Sequence, residues 1–82
     1  MEKAIELLQY IVENIVEDVE SIKIESKVDD MGNLLLLSVA KDDMWKVIGK
    51  GGKTIQAIRD LLKVVGSKLE ERIYLKVVED EE

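Results

Sequence analysis

Apolar residues recur at three- and four-residue steps through Ala4, Ile5, Leu8, Ile11, Val12, Ile15, Val16 and Val19, which predicts an amphipathic helix over residues 2–18. The period then changes to two. Ile22, Ile24 and Val28 alternate with Lys23, Glu25 and Lys27, the pattern of a half-buried strand with one face in solvent. Asp29-Asp30-Met31-Gly32-Asn33 is rich in residues that tolerate positive φ and predicts a turn. Leu34 to Leu37 with Val39 form a continuous apolar run, expected of a strand in the centre of a sheet or covered on both faces.

Beyond this hairpin, Asp42 or Asp43 is placed to cap a short helix that reaches Ile48. A glycine-rich loop breaks that helix. Thr54 lies in the first turn of the next helix, whose predicted buried face is Ile55, Ile58, Leu61, Leu62 and Val65, with Gly66 placed to end it in a left-handed conformation. Ile73, Leu75 and Val77 alternate with Arg72, Tyr74 and Lys76 as a final strand. The resulting order, α-β-β-α-α-β, is that of a small α+β sandwich.

The loop carries the chemistry. In Val47-Ile48-Gly49-Lys50-Gly51-Gly52-Lys53-Thr54-Ile55-Gln56-Ala57-Ile58-Arg59, glycines and two lysines separate two helical segments. Glycines let the backbone pass close to a ligand, and the N–H groups opening the next helix carry partial positive charge suited to phosphate. Spacing separates the known phosphate loops. A Walker loop requires glycine five residues before Gly52, where Val47 stands, and a dinucleotide fingerprint begun at Gly49 requires its third glycine where Thr54 stands. The pattern that remains is G-x-x-G, Gly49-Lys50-Gly51-Gly52.

With its flanking Val47-Ile48 and Ile55 through Arg59, this segment resembles the KH motif, whose loop clamps the backbone of about four nucleotides. Over nearly the whole chain the order of elements is similar to the small stand-alone bacterial KH proteins of the KhpA type. The resemblance implies a single KH domain over residues 1–82 of type II order, with a three-stranded mixed sheet covered by three helices on one face. It implies single-stranded RNA beside the loop, with phosphates on the backbone of Gly49 to Gly52. Lys46, Lys50 and Lys53 would supply charge, Gln56 and Arg59 would reach backbone or base edges, and Ile48 and Ile55 would flank the bases unless they are ordinary core. In this pattern the position of Gly51 is variable. The family resembled also includes RNA chaperone-like regulators that pair with themselves or with a second KH-containing protein.

Charge changes the picture in one respect. The net charge is −6, yet residues 41–63 carry six basic groups against three acidic ones, so positive charge gathers at the loop. A short basic patch on an acidic body implies micromolar or weaker RNA binding that falls steeply with salt. Glu79 to Glu82 read as an acidic tail.

Composition excludes much else. The 82 residues leave room for one domain, and with no cysteine and no histidine there is no disulfide, no thiolate or imidazole metal ligand and no histidine base. The carboxylates lie along surface-like faces, so the expectation is a non-catalytic protein without metal or cofactor. Absence of any long apolar run predicts a protein of the cytoplasm with no membrane span. An alternative function is a protein-protein or dimerisation module with little RNA binding of its own, resting on Trp45, Tyr74 and Val78. Trp45 stands where the family commonly has a small residue. It has three readings: a base-stacking surface, an anchor for a protein partner, or a cap on the core edge.

Overall fold

The computed structural model describes residues 1–78. Its elements run α1 (Glu2–Glu13), β1 (Lys23–Asp29), β2 (Gly32–Ser38), α2 (Met44–Ile48), α3 (Lys53–Leu69) and β3 (Ile73–Val77). This is the α-β-β-α-α-β order that the apolar pattern predicts. The sheet order is β1-β2-β3. β1 pairs antiparallel with β2, and β2 pairs parallel with β3, making the sheet mixed.

The leucine run is β2, the central strand. Leu35 and Leu37 are fully buried against the helices, while Leu34 and Leu36, on the opposite face, are half-buried. Register places Leu35 beside Leu75 and Leu37 beside Val77, so the inward residues of two strands form one apolar surface. Ala4, Leu8 and Val12 of α1, Val47 of α2 and Ile55, Ile58 and Leu62 of α3 cover it. Burying each such Leu or Ile side chain contributes about 1.5–3 kcal/mol. β1 lies at the sheet edge and is less buried than its alternation predicts: Ile22 and Ile24 are half-buried, but Val28, near the hairpin tip, is 76% exposed.

Three local expectations need correction. The first helix ends at Glu13 and does not continue to residue 18. Asn14 donates from Nδ2 to the Tyr10 carbonyl at 2.7 Å, which satisfies a terminal acceptor, and the chain turns so that Val16 still enters the core. Asp43 occupies the N-cap position of α2, but its side chain does not cap that helix. Its carboxylate instead accepts N–H groups from Glu17 at 3.2 Å and Asp18 at 3.0 Å, fastening the segment after α1 to the start of α2.

The third correction concerns Gly66, which is inside α3 and does not terminate it. Glu70 takes the left-handed conformation that ends the helix, with φ 60° and ψ 41°. At Gly66 a Cβ would stand 2.6 Å from the Glu71 carbonyl oxygen and 3.3 Å from Ile73 Cγ1. The glycine there permits close approach of α3 to the chain entering β3. Among the described residues, no helix is long and apolar enough to cross a membrane.

Candidate nucleic-acid interface

The loop between α2 and α3 is set by three glycines at positive φ: Gly49 (79°), Gly51 (64°) and Gly52 (77°). Gly51 and Gly52 are left-handed, a conformation that costs other residues about 1–2 kcal/mol, and Gly49, with ψ 170°, lies in a region open essentially to glycine alone. The Gly49 N–H donates to the Trp45 carbonyl at 2.8 Å and ends α2, and the Gly52 N–H donates to the Gly49 carbonyl at 3.1 Å. Gly49 also needs space, because a Cβ there would lie 2.7 Å from Thr54 Cβ and 2.8 Å from Thr54 N. At Gly51 and Gly52 a Cβ would meet nothing within 4 Å. The outer part of the loop is therefore bare backbone. Gly51, variable in the sequence pattern, has a conformational role of its own.

Gly52 is the N-cap of α3 and offers no side-chain acceptor, so the first N–H groups of this helix have no side-chain cap. Lys50 and Lys53 are exposed on either side of that terminus. A groove of about 540 Å³ adjoins it, lined by Ile15, Trp45, Lys46, Gly49, Lys50 and Thr54. Uncapped amides, two exposed ammonium groups and an open groove make a place where an anion gains from both the helix dipole and local charge.

The other site residues read from the sequence are distributed unevenly around this point. The Lys46 ammonium is 3.3 Å from Glu17 Oε2 and 3.4 Å from Asp43 Oδ1, so two carboxylates offset its charge. Ile48 is 37% exposed beside the loop, whereas Ile55 is core at 6%. Gln56 is exposed on the first turns of α3 and donates to Asp60 Oδ1 at 3.1 Å. Arg59 reaches away from the loop toward β3, donating from Nε to the Leu75 carbonyl at 3.3 Å. The structure thus brings Lys46, Gly49, Lys50, Gly51, Gly52 and Lys53 together, with Ile48 and Gln56 at the margin. It sets Ile55 beneath and Arg59 apart.

Asp43 is a supporting residue, although its position, like that of Asp42, predicts a helix cap. The Asp18 N–H, then the Glu17 N–H and Lys46 beside it, hold its carboxyl below the usual carboxylate range, against burial, which pushes it up. It stays ionised at neutral pH and fixes one wall of the groove. Among the described residues, no group of acidic side chains is arranged to hold a metal ion.

A second surface lies along α3. Leu61, expected in the core, is 50% exposed, with Val64 at 67% and Leu69 at 37% on the same helix. A hollow of about 320 Å³ opens beside them, lined by Lys3, Val64, Val65, Lys68 and Leu69. Its signal in the sequence is the doublet pattern Leu61-Leu62 and Val64-Val65, an apolar band wider than one buried helix face requires. Of the earlier interaction candidates, Trp45 is 69% and Tyr74 39% exposed, while Val78 is half-buried and donates its N–H to the Leu37 carbonyl at 2.8 Å.

Comparison with known proteins gives the family. The family model described as KhpA/KhpB, KH domain, matches residues 5–77. The chain is 41% identical over 75 residues to the RNA-binding protein KhpA of Chlamydia pneumoniae, covering 92% of this chain and 96% of that one. It is 40% identical over 74 residues to the RNA-binding protein KhpA of Listeria monocytogenes, covering 90% and 97%. With the protein of the same name from Borreliella burgdorferi the identity is 31% over 75 residues, covering 92% of each chain.

Proposed function

The chain belongs to the KhpA/KhpB family of KH domains, and from that membership we propose that it is a non-catalytic RNA-binding protein of the cytoplasm. Its loop Gly49-Lys50-Gly51-Gly52 clamps the backbone of short single-stranded RNA. Phosphates sit on the exposed loop backbone and the N-terminus of α3, with Lys50 and Lys53 as the close cations and the bases along the groove beside α2. The observation that carries this reading is the bare, positive-φ backbone at Gly51 and Gly52, where nothing lies within 4 Å of a Cβ. Such a loop admits a phosphate without displacing any side chain.

Few phosphates are contacted, so the affinity of one domain is modest and salt-dependent. Pairing two domains raises avidity without new contacts. The exposed band Leu61, Val64 and Leu69 supports a homodimer, or a heterodimer with a second KH-containing protein, as the working form of an RNA chaperone or post-transcriptional regulator. The same band favours the second reading, a protein-interaction module with little intrinsic RNA binding.

Fluorescence anisotropy of short labelled single-stranded RNA at two salt concentrations separates the two readings. The comparison is between the native chain and Lys50→Asp/Gly51→Asp, each shown to be folded by circular dichroism. The RNA reading expects salt-sensitive native binding and at least about a tenfold loss in the variant, since two contact positions are reversed in charge or made acidic. Equal affinity of the two proteins would sink the loop assignment. Absence of native binding, with dimerisation that Leu61→Lys abolishes in sedimentation, would favour the interaction module.

A further inference from the structure

Trp45 has no place in the core. It is the sole tryptophan of the chain, and it leaves 69% of its surface in solvent, although burial of an aromatic ring is among the larger stabilising contributions a small domain can have. The core contact of α2 is made by Val47, which is fully buried, with Met44 packed against the same cluster. The indole stands on the wall of the groove that contains Gly49, Lys50 and Thr54. Its backbone is tied to the loop, because the Trp45 carbonyl accepts the Gly49 N–H. The Lys46 ammonium lies over one ring face, 5.7 Å from the centroid, and is itself pinned by Glu17 and Asp43. One face of the indole is thus set against a fixed cation, and the rest of the ring is open.

We infer that Trp45 is a stacking platform for the nucleobase next to the phosphate on the glycine loop, so that the groove holds one nucleotide at both ends. The inference rests on the RNA reading of the loop and adds to it a base-binding residue. A π-face accepts any base, so stacking here is tolerant of sequence, with purines favoured by their larger overlap. Charge selects a nucleotide over an apolar protein segment as the occupant. A protein side chain docking on Trp45 would desolvate Lys50 without a counter-charge, whereas a nucleotide brings its own phosphate. The apolar surface suited to a protein lies elsewhere, on Leu61, Val64 and Leu69 of α3.

As the sole tryptophan, Trp45 is also its own probe. Hexa-adenylate and hexa-uridylate are titrated into the native chain, Trp45→Ala, Trp45→Phe and Lys50→Asp/Gly51→Asp, following indole emission where present and anisotropy of labelled RNA throughout. The expected result is quenching of native emission, about a five- to 150-fold weaker affinity for Trp45→Ala, and recovery of most of it in Trp45→Phe. The salt slope of Trp45→Ala stays that of the native chain, because stacking releases no counterions. Loop-dependent RNA binding with no quenching and undiminished affinity of Trp45→Ala would overturn the inference and leave the RNA clamp standing. Undiminished RNA affinity of Trp45→Ala with loss of its dimer in sedimentation would reassign the ring to a protein contact. No RNA binding by the native chain would remove the clamp and this inference with it.

Discussion

At the N-terminal end of α3, Gly51 and Gly52 take φ values of 64° and 77°, and no atom beyond the adjoining residues lies within 4 Å of where a Cβ would stand. Near the other end, Gly66 is ordinary helix, and a Cβ would stand 2.6 Å from the Glu71 carbonyl. The first pair is glycine for backbone conformation on an open surface, the second for closeness between two elements. Glycine in a helix interior costs about 0.5–1 kcal/mol relative to alanine, so Gly66 is retained against local propensity by its packing against β3. A side chain at the first end therefore disturbs what the surface can bind, and a side chain at the second disturbs the fold.

The comparison breaks most readily at Gly66. Gly66→Leu is expected to lose about 3 kcal/mol in urea unfolding, because both obstructing groups belong to the entry into β3 and cannot both yield. RNA affinity of the folded fraction should stay native. Stability within experimental error of native would mean that α3 and β3 separate easily, and the packing argument would go.

Gly51→Ala tests the opposite end. Its cost should be about 1 kcal/mol, from the left-handed backbone alone, with the secondary structure unchanged by circular dichroism and RNA binding reduced. A cost of the size expected at Gly66 would show that the loop packs on something after all. The smallest effect is a gain: Glu70→Gly places glycine where α3 ends at φ 60° and should raise the unfolding free energy by less than about 1 kcal/mol. A loss there would mean that the Glu70 side chain makes a contact worth more than the strain.

Much of this architecture was legible in the chain. Ile24, Ile73 and Leu75 follow the alternation of their strands, Leu35 and Leu37 are the inward half of the continuous run Leu34 to Leu37, and the glycine loop is marked by its helical flanks more than by its glycine spacing, which is common in turns. What escaped reading depends on partners remote in sequence. The apolar period of α1 continues through Val19, but Asn14 caps the helix early and the carboxylate of Asp43 captures the N–H groups of residues 17 and 18. For the same reason Lys46 reads as a free cation until Glu17 is brought beside it. A glycine near a helix end reads as a terminator, since conformational freedom is visible in a sequence and close packing is not. Leu61 reads as core because periodicity counts apolar residues without limiting how many one helix face can cover. The exposure of Trp45 was undecidable for a related reason: Met44 and Ile48 read as the core residues beside it, whereas in the fold Val47 is the fully buried one and Ile48 is 37% exposed.

The mixed sheet also bears on how the chain assembles. The β1–β2 hairpin closes across a two-residue turn at Asp30 and Met31, and so can form early and locally. The parallel pairing of Asn33 with Ile73 must wait until the chain has travelled through both α2 and α3. Loop-closure entropy makes that the costly step, and transition-state analysis by substitution should find contacts of β3 weakly formed when those of the hairpin are well advanced. Gly66, where α3 packs tightly on the entry to the strand that joins last, then governs how fast the finished molecule comes apart more than how fast it is made.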